Sequence, residues 1–561
     1  MDLMGDKARF GSSRASAQEG ARLLRGGELE RAEAPLRSAA AEGDRSAANN
    51  LGVLLHQSGR ADEAAGWWRI AAVAGSAPAA HALGRYQRER GDEAAAEYWL
   101  RQAAESGHAS GAYALADLLD HRGSPEAEGW FRAAADRGHR EGAYRYGCLL
   151  AAAKDTAQEA ESWFRQAAAR GHRRAALRLG ALLEERGRVQ EAGRWYLDAA
   201  KAGEHKAACA LGFLLRDAGD EHGAEQWWRR AARDGNGSAA NALGALYAER
   251  GERQEAQRWY RAALDAGDIN GAFNLGLLSA GQGRTAQAEQ WYRRAAYSGH
   301  REAANALAVL LLQRGDAAGA EPWFSKAAEA GSVDAAFNLG ILHAGRGNRE
   351  SARRWYEHAA EAGHAEAALQ VAIDLLRGGS AAHQERAEEH LRRAAEGGSV
   401  EGAFRLGLLL ERRLGGQAAP ARPGAGDVER SEPERWFARA AEAGHRRAQV
   451  RLGMCAAARG DVVEAARWYR AAAEAGSRNG AFNLGLLLAR EGSEPEAALW
   501  WKRAAEAGHG RSALRLALLA SRRGDLAEGG VWCARAMELG PAEVAERAAR
   551  LLEALQPELT A

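Results

Sequence analysis

The sequence predicts an all-α fold, a right-handed superhelical solenoid of about sixteen helical hairpins, each of about 32 residues. Three observations indicate it. Tryptophan occurs 17 times among 561 residues, although aromatic residues make up only 7% of the chain. The tryptophans recur at a fixed interval, and glycine separates runs whose apolar and small residues repeat every three or four positions. A repeat array therefore replaces the usual expectation of one domain per roughly 150 residues.

The tryptophan positions give the period of the array. Ten tryptophans from Trp67 to Trp355 follow one another at a nearly constant interval of about 32 residues. His390 continues the series at a slightly longer interval, and after a wider gap four more tryptophans recur with the original period from Trp436 to Trp532. A degenerate unit before Trp67 brings the predicted total to sixteen.

A single unit shows why each repeat is a hairpin of two helices. It reads SAANALGALYAERGERQEAQRWYRAALDAG and begins at Ser238. Its two apolar runs end at Gly251 and Gly267, as expected where glycine supplies the left-handed residue that terminates a helix. Gly244 lies in mid-helix, where glycine costs about 1 kcal/mol relative to alanine, and close packing against large aromatic residues of the second helix would compensate. The periodic tryptophans are accordingly predicted to be core residues.

The unit resembles two known repeat families. One half is similar to the tetratricopeptide pattern L-G-x2-Y followed by A-x3-F, without its closing proline, at Leu243, Gly244, Tyr247, Ala256, Tyr260 and Ala263. The other half, from Trp259 through Gly267 to Gly276, is similar to the Sel-one-like repeat, with W-Y-x-x-A-A in its second helix. The resemblance covers about residues 17–540. It implies stacked hairpins whose first helices line a concave groove that binds peptides or partner proteins.

Departures from the pattern predict the domain organisation. Residues 1–16 are expected to be disordered, and 17–413 to form the array with its N-terminal cap. The proline- and glycine-rich segment 414–433 is expected to be a flexible loop insertion, after which the array continues over 434–540. A neutral insertion is favoured for this loop over a regulatory or docking element. Residues 541–561 are predicted to be a C-terminal capping helix and tail.

Composition excludes several classes of function. Lys+Arg 76 minus Asp+Glu 75 leaves a net charge of +1, so no excess charge attracts nucleic acid or a membrane surface. The four cysteines form no CxxC pair, which fits a reducing, cytoplasmic location without zinc. No apolar run is long enough for a signal peptide or a membrane span. The preference for arginine over lysine is typical of a GC-rich, bacterial genome, so arginine frequency alone is weak evidence of function.

The repeats contain no constellation typical of an enzyme, and neither a cofactor nor a metal site is predicted. No nucleophile is accompanied by a base, and no phosphate-binding glycine motif is present. Seven histidines follow a helix-ending glycine, one per unit, and are interpreted as turn and cap residues rather than metal ligands. They are His108, His139, His172, His300, His364, His445 and His509.

Two positions on each first helix are candidates for partner recognition because they share a face and vary between units. In the middle of the chain they include Asn270, Asn274 and Asn338. The same face is expected to be basic near residues 174–206 and 447–515. Between these zones it is acidic, at Glu302, Asp334, Glu366 and Glu401.

The last three complete units carry the most distinctive set of these residues. In order along the chain the set is Arg447, Arg451, Asn479, Asn483, Arg511 and Arg515. Arginine grips carboxylate or phosphate with two hydrogen bonds, and like charges four residues apart destabilise a helix unless an anion is bound. The set resembles the clamp with which some tetratricopeptide domains hold a C-terminal carboxylate, with arginine in place of their lysine. The alternative is that arginine is simply frequent here.

An apolar edge runs beside the polar positions. It contains Phe273, Leu277, Phe337, Ile341, Phe404, Leu408, Phe482 and Leu486. These residues are interpreted as core between hairpins, in preference to anchors for a bound peptide. The predicted function is a non-catalytic scaffold or adaptor for other proteins or peptides, including acidic or free carboxylates. The alternatives are helical-repeat RNA binding, against which the acidic middle argues, and an enzyme site inside the superhelix, for which no polar cluster is visible.

Overall fold

Helices alone make up the regular structure of the protein, which we describe from a computed structural model covering residues 3–152, 156–415 and 430–559. Over these residues the chain forms 33 α-helices and no strand. They fall into two compact units, residues 1–282 and residues 283–561. The predicted all-α fold of repeated hairpins is confirmed.

The first unit contains 17 helices. They are α1 (Leu3–Arg25), α2 (Leu29–Ala41), α3 (Arg45–Gln57), α4 (Ala61–Val73), α5 (Ala77–Glu89), α6 (Glu93–Glu105), α7 (Ala109–His121), α8 (Glu126–Asp136), α9 (Arg140–Ala151), α10 (Ala157–Ala169), α11 (Arg173–Glu185), α12 (Val189–Lys201), α13 (His205–Asp217), α14 (Glu221–Arg233), α15 (Gly237–Glu249), α16 (Arg253–Asp265) and α17 (Asn270–Ala280).

The second unit contains the other 16. They are α18 (Thr285–Tyr297), α19 (Arg301–Gln313), α20 (Ala317–Glu329), α21 (Val333–Gly345), α22 (Arg349–Glu361), α23 (Ala365–Arg377), α24 (Ala381–Glu396), α25 (Val400–Arg413), α26 (Glu432–Glu442), α27 (Arg446–Arg459), α28 (Val462–Glu474), α29 (Arg478–Arg490), α30 (Glu494–Glu506), α31 (Gly510–Arg522), α32 (Leu526–Leu539) and α33 (Ala542–Leu559).

Glycine ends the helices in the way that the sequence predicts. Gly251 and Gly267 have φ of +77° and +87°, in the left-handed region that costs glycine nothing. After α15, the Gly251 N–H donates to the Ala248 carbonyl at 3.0 Å, and the Glu252 N–H donates to the Tyr247 carbonyl at 2.8 Å. These reversed bonds satisfy carbonyls that the helix leaves open, so each helix stops cleanly and the chain turns back.

In most hairpins the structure corrects the predicted core role of the periodic tryptophan, although Trp468 and Trp532 are buried as predicted. The residue that fills the space between the two helices is the one after the periodic tryptophan, as Tyr260 does against the mid-helix Gly244. Trp228, one such following residue, is fully buried, whereas the periodic Trp227 and Trp259 are only half-buried. The gap beside a mid-helix glycine admits one ring, so the adjacent indole lies at the edge of the hairpin.

First helices are the odd-numbered elements and second helices the even-numbered ones. Within each unit, a second helix packs against the first helices beside it, and successive first helices touch each other more than successive second helices do, for example α5 with α7 and α27 with α29. The first helices therefore line the inner side of each stack. We call the surface formed by their second and sixth residues the first-helix face; in α27 these are Arg447 and Arg451.

The ends of the array and its insertion complete the comparison with the predicted boundaries. Helix α1 begins at Leu3, whereas disorder is predicted for residues 1–16; alanine, lysine and arginine there favour a helix, and no proline interrupts it. The predicted capping helix corresponds to α33, which packs against α31 and α32 through Val544 and Ala548. Most of the predicted loop 414–433, namely 416–429, lies outside the described residues.

Candidate binding surface

Histidine caps seven of the first helices. In each case Nδ1 accepts a hydrogen bond from the backbone N–H of the third helical residue, at 3.0 to 3.2 Å. The capping residues are His108, His139, His172, His300, His364, His445 and His509. The interpretation of these histidines as cap residues is confirmed. Because an accepting Nδ1 carries no proton, the neutral ring is protonated on Nε2.

Aromatic residues of one first helix stack on the capping histidine of the next. The ring centroids lie 4.3 Å apart for Phe337 and His364, and 4.6 Å apart for Phe482 and His509. The other pairs at similar distances are Tyr113 with His139, Tyr144 with His172 and Phe404 with His445. The interpretation as core between hairpins is therefore confirmed for Phe337, Phe404 and Phe482. It is wrong for Leu277 and Ile341 of the same edge, whose side chains are exposed.

The acidic residues of the first-helix face take part in the same junctions. Glu401 Oε2 lies 3.0 Å from Nε2 of His445 on the next first helix, and Glu141 makes the equivalent contact with His172 at 2.8 Å. Asp334 Oδ1 lies 3.7 Å from Nε2 of His364, and Glu302 accepts a hydrogen bond from Ser332 Oγ at 3.3 Å. Much of the acidic charge in the middle of the face thus holds neighbouring hairpins together.

Two of the candidate asparagines also bridge neighbouring hairpins. Asn274 Nδ2 donates to Asn241 Oδ1 at 2.8 Å, and Asn338 Nδ2 donates to Asn305 Oδ1 at 3.1 Å. In α21 the bridge joins the sixth residue to the fifth residue of α19, and in α17, which begins one residue later in its repeat, it joins the fifth residue to the fifth residue of α15. The third candidate, Asn270, is exposed at the start of α17, where its backbone N–H donates to Asp268 Oδ1 at 3.0 Å. The polar residues in the middle of the first-helix face therefore mainly join neighbouring hairpins.

The C-terminal candidates are different because most of them have no partner among the described residues. Arg447, Asn479 and Arg511 occupy the second position of α27, α29 and α31, and all three are exposed. Arg451 is half-buried and forms an ion pair with Glu411 of α25 at 3.3 Å. Within the part of the chain that the structure describes, the other five residues of the set make no side-chain hydrogen bond or ion pair; they are Arg447, Asn479, Asn483, Arg511 and Arg515.

Arginines at one recurring position of the repeat are paired, in a network that the sequence-based interpretation missed. Glu225 of α14 is 7% exposed and receives ion pairs from Arg229 of the same helix at 2.7 Å and Arg250 of α15 at 2.8 Å. Tyr247 also donates to it at 2.6 Å. Burial raises the pKa of Glu225, but the hydrogen bonds from Tyr247 and Arg250 outweigh burial and lower it overall.

The same junction recurs along both units. An arginine near the end of a first helix contacts a glutamate of the preceding second helix, always at the same separation in sequence. The pairs are Arg122 with Glu97, Arg186 with Glu161, Arg314 with Glu289, Arg346 with Glu321, Arg413 with Glu388 and Arg459 with Glu434. This constant separation of glutamate and arginine is the sequence signal that would have revealed the network. Arg447, Arg511 and Arg515 take no part in this network.

Two properties of the described residues bear on metal binding and on thiol reactivity. Within them, no three side chains of histidine, cysteine, aspartate or glutamate are grouped so as to hold a metal ion. The cysteines Cys209 and Cys455 are buried and unpaired, and burial raises the pKa of each thiol to about 11. A thiol with such a pKa is not a reactive nucleophile at neutral pH.

Comparison with known proteins identifies the class of repeat. Residues 237–266 match the model of the tetratricopeptide repeat family. No protein of curated function matches the sequence. Among the helices of the described residues, none is both long and apolar enough to cross a membrane.

Several solved structures resemble the chain. A protective antigen of uropathogenic Escherichia coli strains displaying an SLR fold is 24% identical, with 70% of this chain and 94% of that chain covered and a TM-score of 0.43. A Sel1 repeat protein from Oxalobacter formigenes is 27% identical, with 48% and 87% covered and a TM-score of 0.39. Yeast Tom70 is 13% identical, with 72% and 97% covered and a TM-score of 0.36.

The TM-scores are low, so the assignment depends on the chain's own hairpins and on the unit that the family model matches. On these grounds the chain is a protein of repeated helical hairpins, one of which matches the tetratricopeptide repeat model.

Proposed function

We propose that the protein is a non-catalytic, cytoplasmic scaffold or adaptor that binds partner proteins on its first-helix face. The C-terminal set holds a carboxylate-bearing segment of the partner. Arg447, Arg511 and Arg515 grip the anion, while Asn479 and Asn483 bind the peptide backbone. The observation that carries the proposal is that these five residues lie at equivalent positions of three neighbouring first helices and make no side-chain hydrogen bond or ion pair with any described residue.

The chemistry of the set suits a carboxylate. A guanidinium presents two parallel N–H donors that match the two oxygens of a carboxylate, and an asparagine amide offers one donor side and one acceptor side, as a peptide backbone requires. The residues occupy equivalent positions on α27, α29 and α31. With neighbouring helices about 8–10 Å apart, three helices span about 20 Å, the length of roughly six extended residues.

The charge on the face favours a protein over RNA as partner. Sequence-tolerant RNA binding requires a continuous basic track. The first-helix face instead carries Glu302, Asp334, Glu366 and Glu401 on four successive first helices of the second unit. Their negative charges would repel the phosphate backbone of an RNA strand along these four helices. A short carboxylate-bearing segment confined to α27, α29 and α31 avoids that repulsion.

Site-specific photo-crosslinking tests the proposal. A benzophenone amino acid replaces exposed Asn479 on the first-helix face or, as the control, exposed Arg470 on the second helix α28. After irradiation in native lysate, we expect defined protein adducts from position 479 that position 470 does not give. The same adducts should be lost when the probe at 479 is combined with Arg447→Glu and Arg515→Glu, which remove no contact seen among the described residues.

A matched charge control is Arg194→Glu with Arg261→Glu, two exposed arginines of second helices. These changes alter the net charge equally, so the adducts should persist if the face itself binds the partner. Circular dichroism establishes that every variant is helical. Adducts that are identical from 479 and 470, or that survive charge reversal at Arg447 and Arg515, would contradict the proposal. Nuclease-sensitive RNA adducts in place of protein would favour RNA binding.

A further inference from the structure

A second group of basic residues lies on the first-helix face of the first unit. Arg174 and Arg178 are the second and sixth residues of α11, and Lys206 is the second residue of α13. All three are exposed. Arg174 and Lys206 form no ion pair or side-chain hydrogen bond with any described residue, whereas Arg178 contacts Tyr144 of α9. Arg174 and Arg178 thus occupy the same positions in α11 as Arg447 and Arg451 occupy in α27 of the second unit.

This patch has definite edges. On one side, α9 carries Glu141 and Arg145 at the equivalent positions, and both are engaged: Glu141 with His172 at 2.8 Å, and Arg145 with Asp120 at 2.7 Å. On the other side, α15 offers only Ser238 and Ala242. The three cations are therefore confined to two neighbouring helices, about 8–10 Å apart.

We infer that α11 and α13 form a second, independent binding site on the first unit, which takes a short acidic segment of a partner protein through Arg174, Arg178 and Lys206. The cations complement carboxylates, and no described carboxylate neutralises Arg174 or Lys206. An acidic peptide fits better than RNA because the basic surface ends after two helices, at the paired Glu141 on one edge and at neutral residues on the other. The inference does not depend on the C-terminal set binding anything.

Tyr144 adds a neutral donor at the edge of this site. Burial is the main cause that raises the pKa of its hydroxyl, and contact with Cys148 raises it further. The phenol therefore keeps its proton at neutral pH. It lies beside Arg178 and stacks on His172 at 4.5 Å, so its position is fixed by the junction between α9 and α11. A hydroxyl held in this way extends recognition from charge to hydrogen bonding.

Isothermal titration calorimetry with a defined probe tests the inference. The probe is a ten-residue peptide of alternating glutamate and serine with a free C-terminus, titrated into the full chain. Arg174→Gln with Lys206→Gln removes two unpartnered charges and leaves every described contact in place. We expect this variant to lose one peptide per chain, or to weaken that binding event at least tenfold. Raising the salt concentration should weaken it in the wild type as well.

Separate variants distinguish this inference from the proposed function. Arg447→Gln with Arg515→Gln should leave the first-unit event intact, whatever it does to a second event. An event lost in both variants, or unchanged by Arg174→Gln with Lys206→Gln, would overturn an independent site on α11 and α13. The outer-helix pair Arg194→Gln with Arg261→Gln should change nothing. Tighter binding of a twelve-nucleotide oligouridine, lost in the same first-unit variant, would overturn the assignment to an acidic peptide.

Discussion

Gly244 of α15 and Tyr260 of α16 lie so close that the hairpin has no room for another carbon between them. A Cβ at position 244 would be 2.4 Å from Cδ1 of the tyrosine ring. Tyr260 is 5% exposed, so the ring cannot move aside without opening the hairpin. We expect Gly244→Ala to reduce the free energy of unfolding by about 1–3 kcal/mol, despite the better helix propensity of alanine, as measured by urea denaturation.

Gly66→Ala is the matched control for this prediction. Gly66 also lies inside a helix, α4, but a Cβ there would meet nothing within 4 Å. Only the backbone effect remains, so the substitution should stabilise the protein by about 0.5–1 kcal/mol. Equal effects of the two substitutions would show that propensity, and not the contact with Tyr260, explains the mid-helix glycines.

The buried glutamates of the junction network predict a second loss of stability. Glu225→Gln would leave Arg229 and Arg250 without their common carboxylate in a site that is 7% exposed in the wild type. Since both arginines remain partly exposed, water compensates in part, and we expect a loss of about 1–3 kcal/mol in the free energy of unfolding. The lowered pKa adds a pH dependence: this stabilisation is present above the ordinary pKa of 4.5 and is lost as the pH falls below it.

Glu350→Gln tests whether burial causes that loss. Glu350 pairs with Arg354 at 2.7 Å, but the two side chains are 83% and 75% exposed. An exposed pair on one helix contributes about 0.3–0.5 kcal/mol, so its removal should barely move the denaturation midpoint. If both glutamine variants lose the same stability, the junction network has no special role.

A capping histidine without a carboxylate partner predicts acid sensitivity. His509 accepts from the Ser512 N–H through Nδ1 and faces Phe482, Arg478 and Arg511. Burial, with the positive charge of the two arginines, lowers its pKa from 6.5 to about 4. The unfolded chain therefore binds a proton that the folded chain resists. The stabilisation is complete above pH 6.5 and is lost as the pH falls from about 6.5 to about 4.

His509→Asn checks this prediction, because asparagine caps a helix without titrating. Denaturation midpoints at pH 7.5 and pH 5 should differ more in the wild type than in the variant. His445→Asn provides the comparison, since Glu401 lies 3.0 Å from Nε2 of His445, a carboxylate contact that His509 does not make with any described residue. A pH dependence that is the same in all three proteins would rule out His509 as its source.

The sequence predicts the helices, their glycine ends and the capping histidines because each depends on a local pattern that recurs once per repeat. It does not predict which of two adjacent aromatic residues is buried, since Trp259 and Tyr260 both suit the apolar side of α16. The structure decides in favour of Tyr260, because the space beside Gly244 accepts a single ring. Helix α1 was missed for a related reason, since its first residues lack an apolar period.

The candidate site shows the same limit. Asn338 and Asn483 occupy the same position in their repeats, and the sequence gives no reason to separate them. Their roles differ because the previous hairpin has an asparagine at position 305 but a valine at position 450. A polar residue on the first-helix face can bond to the neighbouring hairpin or remain available to a partner protein. Which of the two applies depends on a residue in the neighbouring repeat, so the sequence of one repeat does not reveal it.

The contrast between Asn338 and Asn483 predicts that substitution of one affects stability and substitution of the other affects partner binding. Asn338→Ala removes the donor to Asn305 Oδ1, a bond of 3.1 Å, and should lower the free energy of unfolding by about 1 kcal/mol. Asn483→Ala removes no hydrogen bond seen among the described residues, so its stability should match the wild type. In the crosslinking assay at position 479, Asn483→Ala should reduce the yield of adducts and Asn338→Ala should not. Asn483 is available to a bound peptide backbone, whereas Asn338 is already hydrogen-bonded to Asn305. Loss of stability in Asn483→Ala, or loss of adducts in Asn338→Ala alone, would contradict this division of roles.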